Sequence, residues 1–322
     1  MTLTRRTACL ALAASIAPLA RAQSDFPSKP IRLISNYGPG SSIDIIARLV
    51  AKPLGEQLGQ PVVVENKPGG GGDIGTDIVA KAPKDGYTIG FASPGPLVFN
   101  PMMRKSMPFA PNEVTPVILL ATGPNVLLVN PSVPAKNLQE LVAYIKANPG
   151  KVSYASAGNG TSGHLAGELF KYLTKTDVLH IPYKGNAEAV TDVLAGRVQM
   201  LFSGVPPIRA QVEAGKLRAI AIADAKRAKQ LPGVPTVAEA GLPGGESGAW
   251  YGILAPSGVP APILDRLQRE LARAIQRPEV VAQFDQLGID PSGLSRADFD
   301  KMIANEITRW KPLFAATKIV AD

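Results

Sequence analysis

Short runs rich in β-forming residues alternate with helical patterns along nearly the whole chain, and two of these strand-to-helix transitions pass through glycine- and serine-rich loops. The first leads from the strand-like segment Ile31–Ser35 through Gly38–Ser42, and the second from Val152–Ser156 through Gly158–Ser162. The alternation predicts an α/β fold with mixed, mostly parallel sheets flanked by helices. A helix start leaves backbone N–H groups unpaired and carries a partial positive charge. Both loops therefore suit an anionic group without needing a charged side chain.

The first 22 residues have the pattern of a secretory signal peptide. Arg5 and Arg6 precede an apolar run over residues 8–20, and Ala20-Arg-Ala22 fits a small-x-small cleavage site. The run is too short for a membrane-spanning helix, which needs about 20 apolar residues. Its all-round apolar character also disfavours an amphipathic helix of the mature fold. We therefore predict cleavage after residue 22 and a periplasmic location, reached by the general secretory route in preference to the twin-arginine route.

The composition gives little support for catalysis, metal binding or nucleic-acid binding by the mature chain. Cleavage lowers the formal net charge from +8 to +5 and removes Cys9, the only cysteine. The remaining positive charge is spread out, whereas nucleic-acid-binding proteins cluster it. The two histidines, His164 and His180, have no neighbours at metal-ligand spacing. His180 lies in an apolar strand, which favours a packed residue over a base. We predict no enzyme activity, no metal and no cofactor.

The segment Gly70–Gly75 matches the dinucleotide-binding pattern Gly-x-Gly-x-x-Gly. Its first glycine does not directly follow the preceding strand, Val62–Glu65. The next strand ends at Phe91-Ala-Ser93 without an acidic residue for a ribose hydroxyl. We therefore interpret the segment as a tight loop packed beside a cleft and not as a cofactor site.

Two segments are candidates for chain crossings between separate lobes. Ala121–Asn125 separates the predicted strands Val114–Leu120 and Val126–Val129, and the glycine- and proline-rich Gly241–Gly248 precedes the predicted strand Trp250–Ala255. These positions divide the mature chain into lobe 1, residues 23–124 and 249–322, and lobe 2, residues 125–248. One anion-suited loop then falls in each lobe. Together with the export signal, this arrangement predicts a two-lobed carboxylate-binding receptor.

The second loop has side chains as well as backbone groups that suit a ligand. Gly158 and Gly160 permit positive φ angles and the close approach of a ligand. Thr161 and Ser162 place hydroxyls at a helix N-terminus, where either could cap the helix or donate to an anion. His164 in the first turn is disfavoured as a cation, so a neutral imidazole that donates one hydrogen bond is expected. A plain capping loop is the alternative, and the similar first loop favours binding.

These loops belong to a longer series of segments, in order along the chain, that resembles a known family. The matching segments are Asp44–Ala51, Val64–Gly72 with Ile74-Gly75, Asp85–Thr88, Tyr154–Phe170, Pro182–Gly185 and Leu231–Gly241. Over essentially its whole length the chain resembles the substrate-binding proteins of tripartite tricarboxylate transporters, also called Bug proteins.

The resemblance implies a two-lobed periplasmic binding protein type II fold, with two hinge crossings and closure on the ligand. It implies a monomer that holds a carboxylate largely through backbone N–H groups and bridging waters, and delivers it to a membrane permease of large and small subunits. The ligand-binding residues that it implies lie in the two loops: Tyr37, Gly38, Ser41 and Ser42 in the first, and Gly158, Asn159, Gly160, Thr161, Ser162 and His164 in the second.

Three positions depart from the family pattern. Ser41 replaces the second glycine of the first loop and narrows the conformational freedom of the turn. A serine-rich run of the family is reduced to Ser93 within Ala92–Pro96. After the strand that ends at Phe202 an aspartate is common in the family, but here Ser203 is followed by Gly204. Without a carboxylate that could meet a polar or cationic part of the ligand, an amino-acid-like ligand is less expected. Ser93 and Ser203 join the candidate binding residues, and the departures bear on the ligand's identity more than on its class.

The leading hypothesis is an extracytoplasmic, non-enzymatic receptor that traps a small mono- or dicarboxylate between the two loops. One alternative is an exported hydrolase or isomerase that uses His164 and a loop hydroxyl. Another is an accessory protein that presents a bound ligand to a membrane sensor kinase instead of a permease.

Overall fold

The computed structural model describes residues 26–317 and Ile319, and the predicted signal peptide, residues 1–22, lies outside this range. The strands are Ile31–Ser35 (β1), Val62–Asn66 (β2), Thr88–Ala92 (β3), Val114–Gly123 (β4), Asn125–Val129 (β5), Ser153–Ser156 (β6), Leu179–Pro182 (β7), Met200–Gly204 (β8), Arg218–Ala223 (β9), Ala249–Pro256 (β10) and Asp290–Leu294 (β11). The α-helices are Ser42–Leu58 (α1), Asp73–Ala80 (α2), Asn100–Met103 (α3), Leu138–Ala147 (α4), Ser162–Thr174 (α5), Asn186–Leu194 (α6), Arg209–Glu213 (α7), Ala261–Ile275 (α8), Pro278–Leu287 (α9) and Arg296–Thr317 (α10).

The strands form two separate mixed sheets, as expected. The first has the order β11-β4-β10-β3-β1-β2, and the second has the order β7-β6-β8-β5-β9. We call the first sheet with its helices lobe 1 and the second sheet with its helices lobe 2. In lobe 1, apolar side chains of α1, α8 and α9 cover one face of the sheet, and those of α2 and α10 cover the other. In lobe 2, α4 and α5 lie on one face and α6 on the other.

The expected predominance of parallel strands is wrong in detail. Within the described residues, four strand pairs are parallel and five are antiparallel. The parallel pairs join β1 to β2 and β3, and β6 to β7 and β8, where helical crossovers return the chain to the same end of the sheet. Strands β5 and β10 instead begin at the edge where those strands end, because they receive the chain as it crosses from the other lobe. They therefore run antiparallel to their neighbours.

The two crossings also differ from expectation in their local structure. β4 continues through Gly123 and β5 begins at Asn125, so Pro124 alone separates them. The predicted hinge loop Ala121–Asn125 is therefore largely strand. The return crossing, residues 224–248, consists of turns, with Thr236 forming a single parallel bridge to Ile222. Among the described residues, none of the helices combines the length and the apolar character that a membrane crossing requires.

The lobes contact each other on both sides of the cleft between them. On one side, Leu165 and Leu169 of α5 pack into the apolar cluster that contains Phe99 and Met103 of lobe 1. On the other side, Arg209 at the start of α7 donates from Nη1 to the carbonyl oxygen of Gln286 in α9, at 2.8 Å. The structure therefore shows the two lobes together, with the cleft closed at both flanks.

Candidate ligand-binding site

The carboxyl ends of parallel strands from both sheets point into the cleft between the lobes. β1 and β3 end there in lobe 1, and β6 and β8 end there in lobe 2. The segments after these strands line one cavity of about 280 Å³. This edge is where α/β sheets usually bind their ligands, because the loops and helix starts that follow the strands converge there.

Loop 1, residues 36–41, joins β1 to α1 and is held from both ends. The carbonyl oxygen of Tyr37 accepts from Asn66 Nδ2 at 3.1 Å. Gly40 adopts φ +77°, and its N–H donates to Asp44 Oδ2 at 3.0 Å. Ser41 Oγ in turn accepts from the Asp44 N–H at 3.2 Å. The start of α1 is thus capped in a way similar to a capping box, except that Asp44 accepts from Gly40, the residue before the cap, and not from Ser41 itself.

Loop 2, residues 157–161, joins β6 to α5 and has the same construction. Gly160 adopts φ +76°, and its N–H donates to His164 Nδ1 at 3.2 Å. Thr161 Oγ1 accepts from the His164 N–H at 3.3 Å. The capping residues Ser41 and Thr161 have nearly equal angles, φ −71° and ψ 158° against φ −77° and ψ 160°. The two lobes therefore present the same structural unit, with an aspartate in one and a histidine in the other.

Each unit leaves two backbone donors available at its helix start. Among the described residues, the N–H groups of Ser42 and Ile43 in α1, and of Ser162 and Gly163 in α5, have no hydrogen-bond partner. All four residues line the cavity. Two helix N-termini with unpaired donors thus face one cavity, and their partial positive charges favour an anion.

Eight of the twelve residues predicted to bind ligand line the cavity, and four do not. Those in the lining are Tyr37, Gly38, Ser41, Ser42, Ser93, Thr161, Ser162 and Ser203. Gly158, Asn159, Gly160 and His164 are outside the lining. Of these, Gly160 and His164 are buried and joined by a hydrogen bond, whereas Asn159 is exposed. Among the lining hydroxyls, Ser93 Oγ is buried and has no partner within the described part of the chain.

The crossing strands contribute residues that the sequence patterns did not reveal. Asn125, the first residue of β5, lines the cavity beside Trp250 and Tyr251 of β10. Its Nδ2 donates to the carbonyl oxygen of Ser247, and its Oδ1 accepts from Ser162 Oγ at 3.4 Å. Asn125 thus connects both crossings to the start of α5. Only the pairing of the two crossing segments brings these residues together, so no local sequence pattern could have identified them.

His164 is buried beneath loop 2, and its environment keeps the imidazole neutral. Burial lowers the pKa of His164 to about 4, with a smaller opposing effect from Glu168. The ring nitrogen Nδ1 already accepts from Gly160. The expected neutral state is therefore consistent with its surroundings, although the nitrogen that contacts the loop accepts and does not donate. The geometry disfavours a general base at this position.

The formal charges near the cavity lie behind loop 1 and at the rim. Burial alone would raise the pKa of Asp44, but hydrogen bonds from Arg48, Gly40 and Asn66 lower it below its usual value. Arg48 Nη2 lies 2.9 Å from Asp44 Oδ1 and balances its charge. Lys184, before α6, and Glu188, in its first turn, are exposed residues of opposite charge that line the opening of the cavity. Within the described lining, backbone donors and hydroxyls thus outnumber charged side chains.

Glycines allow the lobes to meet closely beside the cavity. A Cβ at Gly95 would lie 2.5 Å from the carbonyl oxygen of Gly71 and 2.9 Å from that of Gly160 in lobe 2. A Cβ at Gly71 would lie 2.6 Å from the carbonyl oxygen of Asn159. Real Cβ atoms do not approach oxygen this closely, so side chains at these positions would hold the lobes apart. The segment Gly70–Gly75, interpreted from the sequence as a tight loop beside the cleft, lies at this contact.

Two mixed sheets flanked by helices, with one cavity between their facing edges, define the class of two-lobed solute-binding proteins. Residues 46–319 match the family described as tripartite tricarboxylate transporter family receptor. The chain therefore belongs to this family of periplasmic solute receptors, and the resemblance stated from the sequence is confirmed.

Known relatives agree with this assignment over almost the full chain. BugT of Bordetella pertussis (strain Tohama I) is 37% identical over 314 residues, covering 96% of this chain and 96% of BugT. A solved R. palustris protein with adipate is 34% identical with a TM-score of 0.87, covering 90% of this chain and 98% of that one. MatC from Rhodopseudomonas palustris with bound malate is 30% identical with a TM-score of 0.84, covering 89% and 99%.

Proposed function

We propose that this protein is an extracytoplasmic receptor that binds a small mono- or dicarboxylate between loop 1 and loop 2 and delivers it to a tripartite tricarboxylate-type membrane transporter. The observation that carries the proposal is the pair of helix N-termini, α1 and α5, whose unpaired N–H groups face one cavity. Each charge-assisted hydrogen bond is worth about 1.5–3 kcal/mol. Several of them, less the ordering costs, suffice for micromolar affinity, about 8 kcal/mol. The adipate and malate held by the two solved relatives support a carboxylate.

The predicted site residues divide into two proposed roles. The hydroxyl and backbone groups of Ser41, Ser42, Thr161 and Ser162 contact the anion, with further contacts from Tyr37, Gly38, Ser93 and Ser203. Gly158, Asn159, Gly160 and His164 hold loop 2 in the conformation that presents those groups. The cavity volume and the hydrogen bonds of loop 2 support this division.

The remaining parts of the proposal concern the whole protein. We propose that it acts in the periplasm as a monomer after cleavage at residue 22, without enzymatic activity, and passes its ligand to a permease of large and small subunits. Lobe 1, residues 23–124 and 249–322, and lobe 2, residues 125–248, open and close about the two crossings. The division of the strands into two sheets and the closeness of the lobes beside the cavity support hinge closure.

A thermal-shift screen of the mature protein, refolded to remove carried-over ligand, tests the function. The panel contains adipate, malate and other aliphatic, aromatic and amino carboxylates beside sugars and nucleotides. A ligand present at 100 times its Kd adds about 2.7 kcal/mol to the stability of the native state. Shifts confined to carboxylates are expected, whereas a shift with a sugar or NAD and none with any carboxylate would contradict the proposal. Loss of uptake of the same carboxylate on deletion of the gene tests delivery.

The chain offers a sharp test of the backbone donors. Ser162 is the first residue of α5, where proline is tolerated because its missing N–H is unpaired in the helix anyway. The preceding residue, Thr161, already has the extended angles that proline requires. Ser162→Pro removes the N–H and the hydroxyl, and Ser162→Ala removes only the hydroxyl. We expect the proline variant to bind the carboxylate about 10- to 150-fold more weakly than the alanine variant, the worth of one charge-assisted hydrogen bond. Equal affinities would exclude this donor from the site.

A further inference from the structure

The two histidines of the chain lie one on the other beneath loop 2, although they are separated in sequence. The ring centroids of His164 and His180 are 4.2 Å apart and the rings are inclined by 19°. The ring of Tyr154 stacks on the opposite face of His180, at 4.7 Å and 23°. The three rings form a column between the second sheet and loop 2. From the sequence, His180 is predicted to be a packed residue of a strand, without a function.

Each imidazole makes a hydrogen bond that fixes part of loop 2. His164 Nδ1 accepts from the Gly160 N–H at 3.2 Å. His180 Nε2 lies 2.7 Å from Ser156 Oγ, and Ser156 Oγ also contacts the carbonyl oxygen of Gly158 at 3.1 Å and its N–H at 3.2 Å. The two rings therefore act on both ends of the segment Gly158–Gly160, whose backbone leads into the helix start that faces the cavity.

The hydrogens in these bonds determine the tautomer of each ring. Because His164 Nδ1 accepts, it carries no hydrogen, so a neutral His164 must have its hydrogen on Nε2. When the single hydrogen of the Ser156 hydroxyl is donated to the Gly158 carbonyl oxygen, as their 3.1 Å separation allows, it is not available to His180. The bond between Ser156 Oγ and His180 then needs its hydrogen from Nε2 of the ring. In this arrangement both rings are neutral and each carries its hydrogen on Nε2.

We propose that His164 and His180 are a pair of positioning residues that hold loop 2 in its binding conformation as neutral Nε2–H imidazoles. Their effect on a ligand rests on the proposed function, whereas their effect on the loop does not. A proton added to His164 would replace the acceptor that faces the Gly160 N–H with a second donor, and would release the loop without altering any residue in the cavity lining.

The charged and titratable groups that face the pair leave the neutral state undisturbed. Glu168 and Lys171 lie on α5, and Lys171 Nζ is 2.9 Å from Glu168 Oε1, so their charges offset each other. Tyr154 on β6 donates its hydroxyl to the same carboxylate at 2.8 Å. His180 on β7 and His164 on α5 face each other. Burial, with a smaller contribution from His164, lowers the pKa of His180 to about 3.

Loop 1 supplies the design of a rescue variant. The equivalent of His164 in loop 1 is Asp44, whose Oδ2 accepts from the Gly40 N–H at 3.0 Å. His164→Asn places an amide oxygen, uncharged and without a titration, where it can accept from Gly160 in the same way. His164→Leu keeps the bulk but has no acceptor. A structural role based on packing alone would favour the leucine variant, and a positioning role through the hydrogen bond favours the asparagine variant.

The experiment combines ring ¹⁵N spectra with binding of adipate and malate to the full mature protein. We expect both histidines to show the Nε2–H tautomer from pH 7 to pH 5, and faster hydrogen exchange of the Gly158 and Gly160 amides in His164→Leu. We expect His164→Leu to lower affinity roughly tenfold, the worth of one hydrogen bond, and His164→Asn to recover most of it. An Nδ1–H tautomer, or unchanged exchange in His164→Leu, would overturn the proposal. If the wild-type protein binds no carboxylate, the proposed function fails, and the tautomer and exchange results still decide the positioning role.

Discussion

Replacement of Gly160 by alanine tests whether the close contact between the lobes matters for ligand affinity. A Cβ at Gly160 would overlap Asn100 Oδ1 and lie 3.2 Å from Met103 Cε, and both neighbours belong to lobe 1. The overlap exists only while the lobes are together, so it destabilises the closed form and leaves an open form unaffected. Inserting a methyl group into a packed site costs about 1–3 kcal/mol. We therefore expect Kd to rise roughly 5- to 150-fold.

Gly160→Ala also has a second cost that must be separated from the first. Gly160 has φ +76°, and a left-handed conformation costs an alanine about 1–2 kcal/mol in the open and the closed form alike. This cost lowers the free energy of unfolding and leaves the affinity unchanged. Gly150→Ala is the matched control, because Gly150 has φ +71° and a Cβ there would meet nothing within 4 Å.

The assay is urea unfolding and calorimetric titration of both variants with adipate and malate. We expect both to lose similar stability and Gly160→Ala alone to lose affinity. In the double variant with Asn100→Ala, part of the affinity should return, because the overlapping oxygen is gone. Equal Kd values for the two glycine variants would refute the reasoning that Gly160 marks a contact of the closed form.

Three further predictions concern stability and encounter. Burial lowers the pKa of His164 to about 4 and that of His180 to about 3. The unfolded chain therefore binds protons that the folded chain does not, and the free energy of unfolding should fall as pH drops from about 6.5 to 4; urea midpoints across this range should fall less steeply in His180→Gln. Tyr154→Phe removes the hydroxyl that donates to the buried Glu168 and should lower the free energy of unfolding in urea by about 1–3 kcal/mol. An unchanged free energy would show that water replaces the hydroxyl. Lys184→Gln at the cavity opening should slow ligand association at low salt only, and an equal slowing at high salt would rule out electrostatic steering.

The local patterns predicted most of the helices and strands that build the site. Glycines followed by a serine or threonine, and then by an apolar repeat, marked the starts of α1 and α5, because helix caps depend on residues within four positions. The strand Ile31–Ser35 matches its predicted bounds, and the predicted strands Val126–Val129 and Trp250–Ala255 lie within β5 and β10. The predicted hinge loop Ala121–Asn125 is largely strand, because β4 and β5 extend into it. Strand direction was also misjudged, because it depends on where the chain arrives from and not on the composition of the strand.

The sequence by itself determined that two anion-suited helix starts exist and that the chain belongs to a receptor family, because capping chemistry and aligned motifs are local or linear properties. Only the tertiary structure decided that both helix starts face one cavity, that Asn125 joins the wall, and that Gly158, Asn159, Gly160 and His164 lie outside the lining. It also stacked His180 on His164 beneath the loop. These relations depend on the pairing of distant strands and on the closure of two lobes, which no short segment of the chain encodes.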